Sequence, residues 1–334
     1  MWDLSNRIVT LCMNPALDIA TSIPVVGPTH KMRCAAPRYD PGGGGINVAR
    51  VARVLGVPAM TVFPSGGPAG EAVHNLLVAE GMTMHRVRIG GATRENFTVN
   101  EETTGEQYRF VLPGPELTMT EQAQCLAHLR REVVAAGGDQ DPAAGPPVVV
   151  ASGSLPPGVP LDFYQRVANL CDELGADLLL DSSGGGLRNV ESGVFLLKPS
   201  ARELREYAHQ PLDNENEQID VALEIVARGI ARHVLVSIGA KGAVLVSDGR
   251  AQRFAAIPIP PGGSGVGAGD AMVAGVAVGL IRGWPLVRAV RLGIAAGSAT
   301  LLTPGNAPCT RADTERLFGQ SAEPTDVDLT PGRL

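Results

Sequence analysis

The chain has 334 residues, of which 44% are hydrophobic and 19% charged, with a formal net charge of −6 at pH 7. This suits one large or two smaller soluble domains with ample core, and an acidic balance leaves no nucleic-acid footprint. The five scattered cysteines contain no CxxC pair, which excludes a disulfide framework or structural zinc site and points to reduced thiols of a cytoplasmic protein.

In chain order, the start from Met1 to Arg7 lacks the apolar stretch of a signal peptide. Residues 8–11 read as a buried strand, and residues 16–40 as extended, proline-interrupted chain carrying His30, Lys31, Met32 and Arg33. A helix is expected over 46–55. Residues 93–112 alternate about a Thr104-Gly105 turn, as a hairpin does. These extended pieces form a small β-lid on the main body; a small sheet is marginal alone, so its open face is expected to pair with a second copy as a homodimer. Residues 137–147 read as a loop.

Further strands are expected at 148–150, 178–180, 194–197, 234–236 and 244–246, and helices at 161–174, 201–208, 219–228, 268–281 and 286–302. Apolar strands without polar alternation, interleaved with helices, indicate an α/β fold whose mostly parallel sheet is covered on both faces. Ligands of such sheets sit beyond the C-terminal strand ends. The apolar window at 271–281 is too short and glycine-rich to span a bilayer, so no membrane association is expected. The body runs over 1–320, and the tail 321–334, with little apolar content, is expected to be poorly ordered.

Two segments carry chemistry. Gly267-Ala268-Gly269-Asp270 follows a proline- and glycine-rich stretch and opens a long apolar helix. Bare amides at a helix start form an anion site, and Asp270 in the first turn stands ready to take a proton from a hydroxyl. Asp270 also reads as a plain helix cap. Pro41 to Arg50 holds four consecutive glycines, Gly42 to Gly45, feeding directly into a helix with Asn47 in its first turn. This is not GxGxxG after a first strand, so a dinucleotide fingerprint fits poorly.

With Asn14 to Asp18, Ser152 to Gly158, Asp181 to Gly184, Lys198-Pro199 and Ser237 to Gly239, these segments resemble, in order and from Leu11 to Cys309, the PfkB/ribokinase family of sugar kinases. The resemblance implies a ribokinase-like fold and, through its phosphosugar branch, ATP-dependent phosphorylation of fructose 6-phosphate at C1, a 6-phosphofructokinase activity. Relatives acting on fructose 1-phosphate or tagatose 6-phosphate usually carry Lys where Gly44 stands, which favours fructose 6-phosphate over those sister reactions. A nicotinamide (NAD-dependent) dehydrogenase and a non-catalytic metabolite-binding relative are the other readings.

Roles implied by the resemblance make Asp270 the base, with the Gly267, Ala268 and Gly269 amides as anion hole. Asp18, Asn47, Gly43, Gly44 and Ser154 would contact the sugar, and Lys31, Arg33 and Arg94 its phosphate. Lys198, Ser200, Ser237, Gly239, Gly242, Ile294 and Ser298 would meet ATP, and Glu203 would act on Mg²⁺ through water. Two departures stand out: Ser200-Ala201-Arg202-Glu203 replaces the family's Asn-x-x-Glu, and Gly265 stands where relatives often have Thr, near the family's K⁺ site.

Overall fold

The computed structural model describes residues 7–28, 31–138, 145–260 and 265–329. Fourteen strands are seen among them. They are β1 (Ile8–Leu11), β2 (Ala16–Ile23), β3 (Arg38–Gly42), β4 (Ala59–Ser65), β5 (Thr83–Arg88), β6 (Arg94–Glu101) and β7 (Gln107–Val111). The second half adds β8 (Val148–Ser152), β9 (Asp177–Asp181), β10 (Val194–Leu197), β11 (Ala231–Ser237), β12 (Ala243–Ser247), β13 (Arg250–Phe254) and β14 (Thr325–Asp326). The helices are α1 (Gly44–Val54), α2 (Gly67–Ala79), α3 (Met119–Gly137), α4 (Phe163–Glu173), α5 (Gly185–Arg188), α6 (Ala201–Ala208), α7 (Glu215–Ala227), α8 (Ala268–Ile281), α9 (Leu286–Thr300) and α10 (Arg311–Gln320).

Ten strands form one sheet in the order β14-β13-β12-β11-β10-β9-β8-β1-β4-β5, parallel from β11 to β5 and antiparallel beyond. Alternation of side chains divides each apolar strand between two cores. Ile8, Val148 and Val150 join the core under α1, α8 and α9, while Val9, Leu11, Val149 and Ala151 join the core under α3, α4 and α7. Burial on both faces is why these strands read as unbroken apolar runs. Strand β5 is harder to read, because Thr83-Met84-His85-Arg86-Val87-Arg88 carries the charges of an edge strand.

The lid is the four-stranded sheet β3-β2-β6-β7. Strand β2 pairs in parallel with β6 (Asp18 opposite Asn96), and β6–β7 form the hairpin (Thr98 opposite Arg109). Its exposed apolar side chains include Tyr39, Phe110 and Val111.

The expected disordered tail does not hold for residues 321–329. Thr325 and Asp326 pair with Arg253 and Gln252, and the Val327 amide donates to the Ala251 carbonyl at 2.8 Å. Backbone pairing and the packing of Val327 and Leu329 against the core under α3, α4 and α7 order this piece. Residues 330–334, His30 and most of the 137–147 loop lie outside the described residues. Among the described residues no helix is long and apolar enough to cross a membrane.

Candidate active site

The parallel strands point their C-terminal ends at one side of the sheet. The chain leaves β1 towards β4 on one flank and β8 on the other, which opens a crevice at that switch. Ser152 closes β8, Asp181 closes β9, Lys198 follows β10 and Ser237 closes β11, so four of the motif segments are delivered to that side by sheet order.

The glycine turn joins the lid to α1. Gly43 is the N-cap of α1 at φ 110°, a conformation costly for any residue with a Cβ, and a Cβ there would meet Cys12 Sγ. A Cβ on Gly44 would overlap Ser152 Oγ and come within 2.9 Å of Asp270 Oδ1. The turn therefore lies directly against the start of α8.

Helix α8 has Gly267 as its N-cap and Asp270 in its first turn. The first helical N–H groups have no acceptor within the helix. Asp270 is held on both oxygens: Asn47 Nδ2 donates to Oδ2 at 2.9 Å and Ser152 Oγ to Oδ1 at 3.0 Å. Burial raises the Asp270 pKa above the usual carboxylate range, and those two hydrogen bonds and Lys198 act against it. On the lid, Asp18 accepts from Asn96 Nδ2 at 2.9 Å and from Asn306 Nδ2 at 2.8 Å. Its pKa is also raised by burial, with Asn96, Arg94 and Arg109 pulling it down.

Two cavities meet at α8. One, of about 190 Å³, is lined by Asp18, Gly43, Gly44, Asn47, Gly267 and Asp270, with Arg94 and Arg109 from the lid hairpin. The other, of about 580 Å³, is mostly apolar and is lined by Ser237, Gly239, Gly242, Ala268, Gly269, Ile294 and Ser298 among others. Consecutive residues of the helix start thus face different cavities.

Behind the start of α8, Lys198 Nζ sits 3.1 Å from Asp181 Oδ2, and both are close to Gly269. Burial pushes Asp181 up to about 7; Lys198 opposes this, while Asp270 and Glu203 add to it. Burial works against the Lys198 charge, yet the carboxylates of Asp181, Glu203 and Asp270 together hold its pKa above the ordinary lysine value. Ser200 is the N-cap of α6, and Glu203 completes a capping box: its Oε2 accepts from the Ser200 amide at 2.8 Å and from Ser200 Oγ at 2.7 Å. Glu203 is therefore tied to its own helix start rather than to Arg202 or Arg205.

Several expected residues lie elsewhere. Lys31 and Arg33 are exposed and do not line the smaller cavity. Ser154 also lies outside its lining and accepts from Asn14 Nδ2 at 3.1 Å. Lys198, Ser200 and Glu203 flank the larger cavity without lining it. Arg94 does line the smaller cavity: its Nη2 donates to the Asn14 carbonyl at 3.0 Å, while its buried Nε has no partner.

Sequence reasoning missed Arg109, Asn96, Asn306 and the Ser152–Asp270 contact. The alternation of the hairpin could have found Arg109, since it puts residues 107, 109 and 111 on one face. Asn306 lies in a loop after α9 with no local motif.

A profile described as pfkB family carbohydrate kinase matches residues 12–313. The chain is 55% identical over 327 residues, covering 98% of it and 93% of the relative, to the ATP-dependent 6-phosphofructokinase isozyme 2 of Mycobacterium tuberculosis. Among solved structures it is similar to phosphofructokinase-2 of Escherichia coli in complex with fructose-6-phosphate, with TM-score 0.83, 36% identity, and coverage of 94% of this chain and 98% of that one. The same coverage holds for that enzyme in complex with potassium, with TM-score 0.84 and 37% identity, and for its tetrameric inhibited form, with TM-score 0.83 and 37% identity.

Proposed function

Because this chain belongs to the pfkB family of carbohydrate kinases, we propose that it transfers the γ-phosphoryl group of ATP to the C1 hydroxyl of fructose 6-phosphate, giving fructose 1,6-bisphosphate. The observation that carries the reading is the meeting of a polar cavity and a larger apolar one at the first turn of α8, with the Asp270 carboxylate in the polar one.

The sugar occupies the smaller cavity. Asp18 and Asn47 accept and donate hydrogen bonds to its hydroxyls, and Arg94 and Arg109 take its existing phosphate. The unpartnered Nε of Arg94 is a buried donor suited to an anion, and Arg109 makes no ion pair among the described residues. Guanidinium groups fit a phosphate through their paired N–H groups. ATP enters the larger cavity, with its base against the apolar wall that includes Ile257 and Ile294. Its terminal phosphate meets the bare amides at the start of α8, which stabilise the charge that spreads over the phosphoryl oxygens in transfer. Asp270 accepts the C1 proton as the oxygen attacks, and its raised pKa makes it a stronger base than an ordinary carboxylate.

Lys198 is paired with Asp181, and the charges of Glu203 and Asp270 also act on it, a surplus of negative charge that suits a cation beside the triphosphate. No group of three His, Cys, Asp or Glu close enough to cage a metal occurs among the described residues. Mg²⁺ would be held mainly by phosphate oxygens and water, with Glu203 and Asp181 offering carboxylates to its waters, and would neutralise phosphate charge. Ser200 supplies a hydroxyl to the capping box and no second amide group, so Glu203 carries the outer contact there. Activation by K⁺ is proposed on the resemblance and on the potassium complex of the Escherichia coli enzyme. Rates in K⁺ and Na⁺ at equal ionic strength test it.

Gly44 separates this reading from the sister kinases. A side chain at that position would collide with Ser152 and crowd the base, so a lysine there requires a rearranged site. Family membership removes the dehydrogenase reading. We also propose a homodimer joined through the exposed lid side chains Tyr39, Phe110 and Val111. The test of the main reading is a panel of fructose 6-phosphate, tagatose 6-phosphate and fructose 1-phosphate with ATP and Mg²⁺, with the new phosphate's position mapped. Fructose 6-phosphate is expected to be turned over best, at C1; binding without turnover would mark a non-catalytic relative.

A further inference from the structure

Asn306 sits in the loop after α9, is buried, and is at the centre of the polar groups between lid and helix. Its Nδ2 donates to Asp18 Oδ2 at 2.8 Å and to Asn47 Oδ1 at 3.1 Å, with the Pro41 carbonyl farther off at 3.4 Å. Asn47 in turn donates its own Nδ2 to Asp270 Oδ2 at 2.9 Å. The row therefore runs unbroken from Asp18 through Asn306 and Asn47 to Asp270.

Only one sense of donation fits this row. Ionised Asp18 and Asp270 are pure acceptors, so each end demands an N–H. Asn306 has two such hydrogens and spends them on Asp18 and on Asn47 Oδ1. With its oxygen so occupied, Asn47 must turn its amide nitrogen to Asp270. If Asn47 were reversed, its oxygen would face the carboxylate and its nitrogen the Asn306 amino group, leaving buried polar atoms without partners. The backbone of Asn306 is fixed as well. Buried Arg50 donates Nη1 to the Asn306 carbonyl at 2.9 Å, while its Nε and Nη2 hold Glu80 at 2.8 and 2.7 Å.

We propose that Asn306 is a positioning residue for phosphoryl transfer, which sets the lid acid Asp18 and, through the amide orientation of Asn47, the base Asp270 in one aligned row. This deepens the kinase reading and rests on it. A substrate hydroxyl bound by Asp18 and the base that deprotonates C1 are then registered by one shared side chain, in addition to their separate supports Asn96 and Ser152.

The experiment uses the full chain with fructose 6-phosphate, ATP and Mg²⁺. Asn306→Ala is expected to lower kcat roughly 10- to 100-fold, the scale of a hydrogen bond to a charged group, and to raise KM for the sugar while KM for ATP stays within about 2-fold. In an Asn47→Ala background the same substitution should cost far less, since the path to Asp270 is already cut. The isosteric Asn306→Asp puts a third carboxylate in the row and should move the acid limb of the kcat profile up by about one pH unit or more. Additive losses in the double variant, or an acid limb that stays in place in Asn306→Asp, would overturn the proposal. If Asn306→Ala lost its native melting transition, Asn306→Asp carries the test. An unsubstituted protein without fructose 6-phosphate turnover would instead refute the kinase reading itself.

Discussion

The smaller cavity takes its walls from segments as far apart as Asp18 and Asn306, 288 residues, and holds its carboxylates by long-range hydrogen bonds. The larger cavity draws on residues 237–301 and is walled by glycine, alanine, isoleucine and other small or apolar residues. The difference teaches where the molecule spends its specificity. A site built to hydrogen-bond its ligand discriminates strongly, because a wrong partner strands buried polar groups, whereas an apolar wall discriminates only by shape. Single substitutions on the sugar side should therefore act sharply, and those on the nucleotide side mildly.

The sharpest test of that contrast lies at the shared boundary. Asp270→Asn should lower kcat by about 10²–10⁴-fold, while ATP affinity, read by calorimetry, survives. Full activity would remove Asp270 from its role. Next in size, Arg94→Ala should raise KM for fructose 6-phosphate roughly 10- to 100-fold with little change for ATP; equal effects on both would mean that the cavities are not separate in function. Arg109→Ala should act in the same direction but less, because Arg109 is exposed at the cavity mouth. The pH dependence follows from the proposed role of Asp270 as base, in which it works ionised, and from its raised pKa. Activity should thus be lost as pH falls through that raised value and regained above it, with the acid limb above the ordinary carboxylate value of about 4. Smallest of all, Ile294→Ala on the apolar side should change KM for ATP by only roughly 10-fold or less and leave the sugar untouched. A large sugar effect there would break the contrast.

What can be read in the sequence is whatever is encoded within a few residues. The glycine turn feeding α1 and the Gly267–Asp270 start of α8 are such local patterns, and so are the apolar strand runs that define the parallel sheet. Pairings across the chain are not legible: Asn47 meets Asp270 over 223 positions and Ser152 meets it over 118. Residue type alone is also not enough. Lys31 and Arg33 have the right charge for a phosphate yet do not line the cavity, whereas Arg109 reaches it through strand register. The tail misleads for a related reason, since two apolar residues, Val327 and Leu329, and a few backbone pairs suffice to hold it on the core.

That short terminal pairing has a practical consequence. With β14 in place, β13 has a neighbour on its outer side; a chain cut at Gln320 would leave its main-chain donors and acceptors open to other molecules. Such a shortened protein should keep both cavities yet self-associate at high concentration, so affinity tags and fusions should leave residues 321–329 in place.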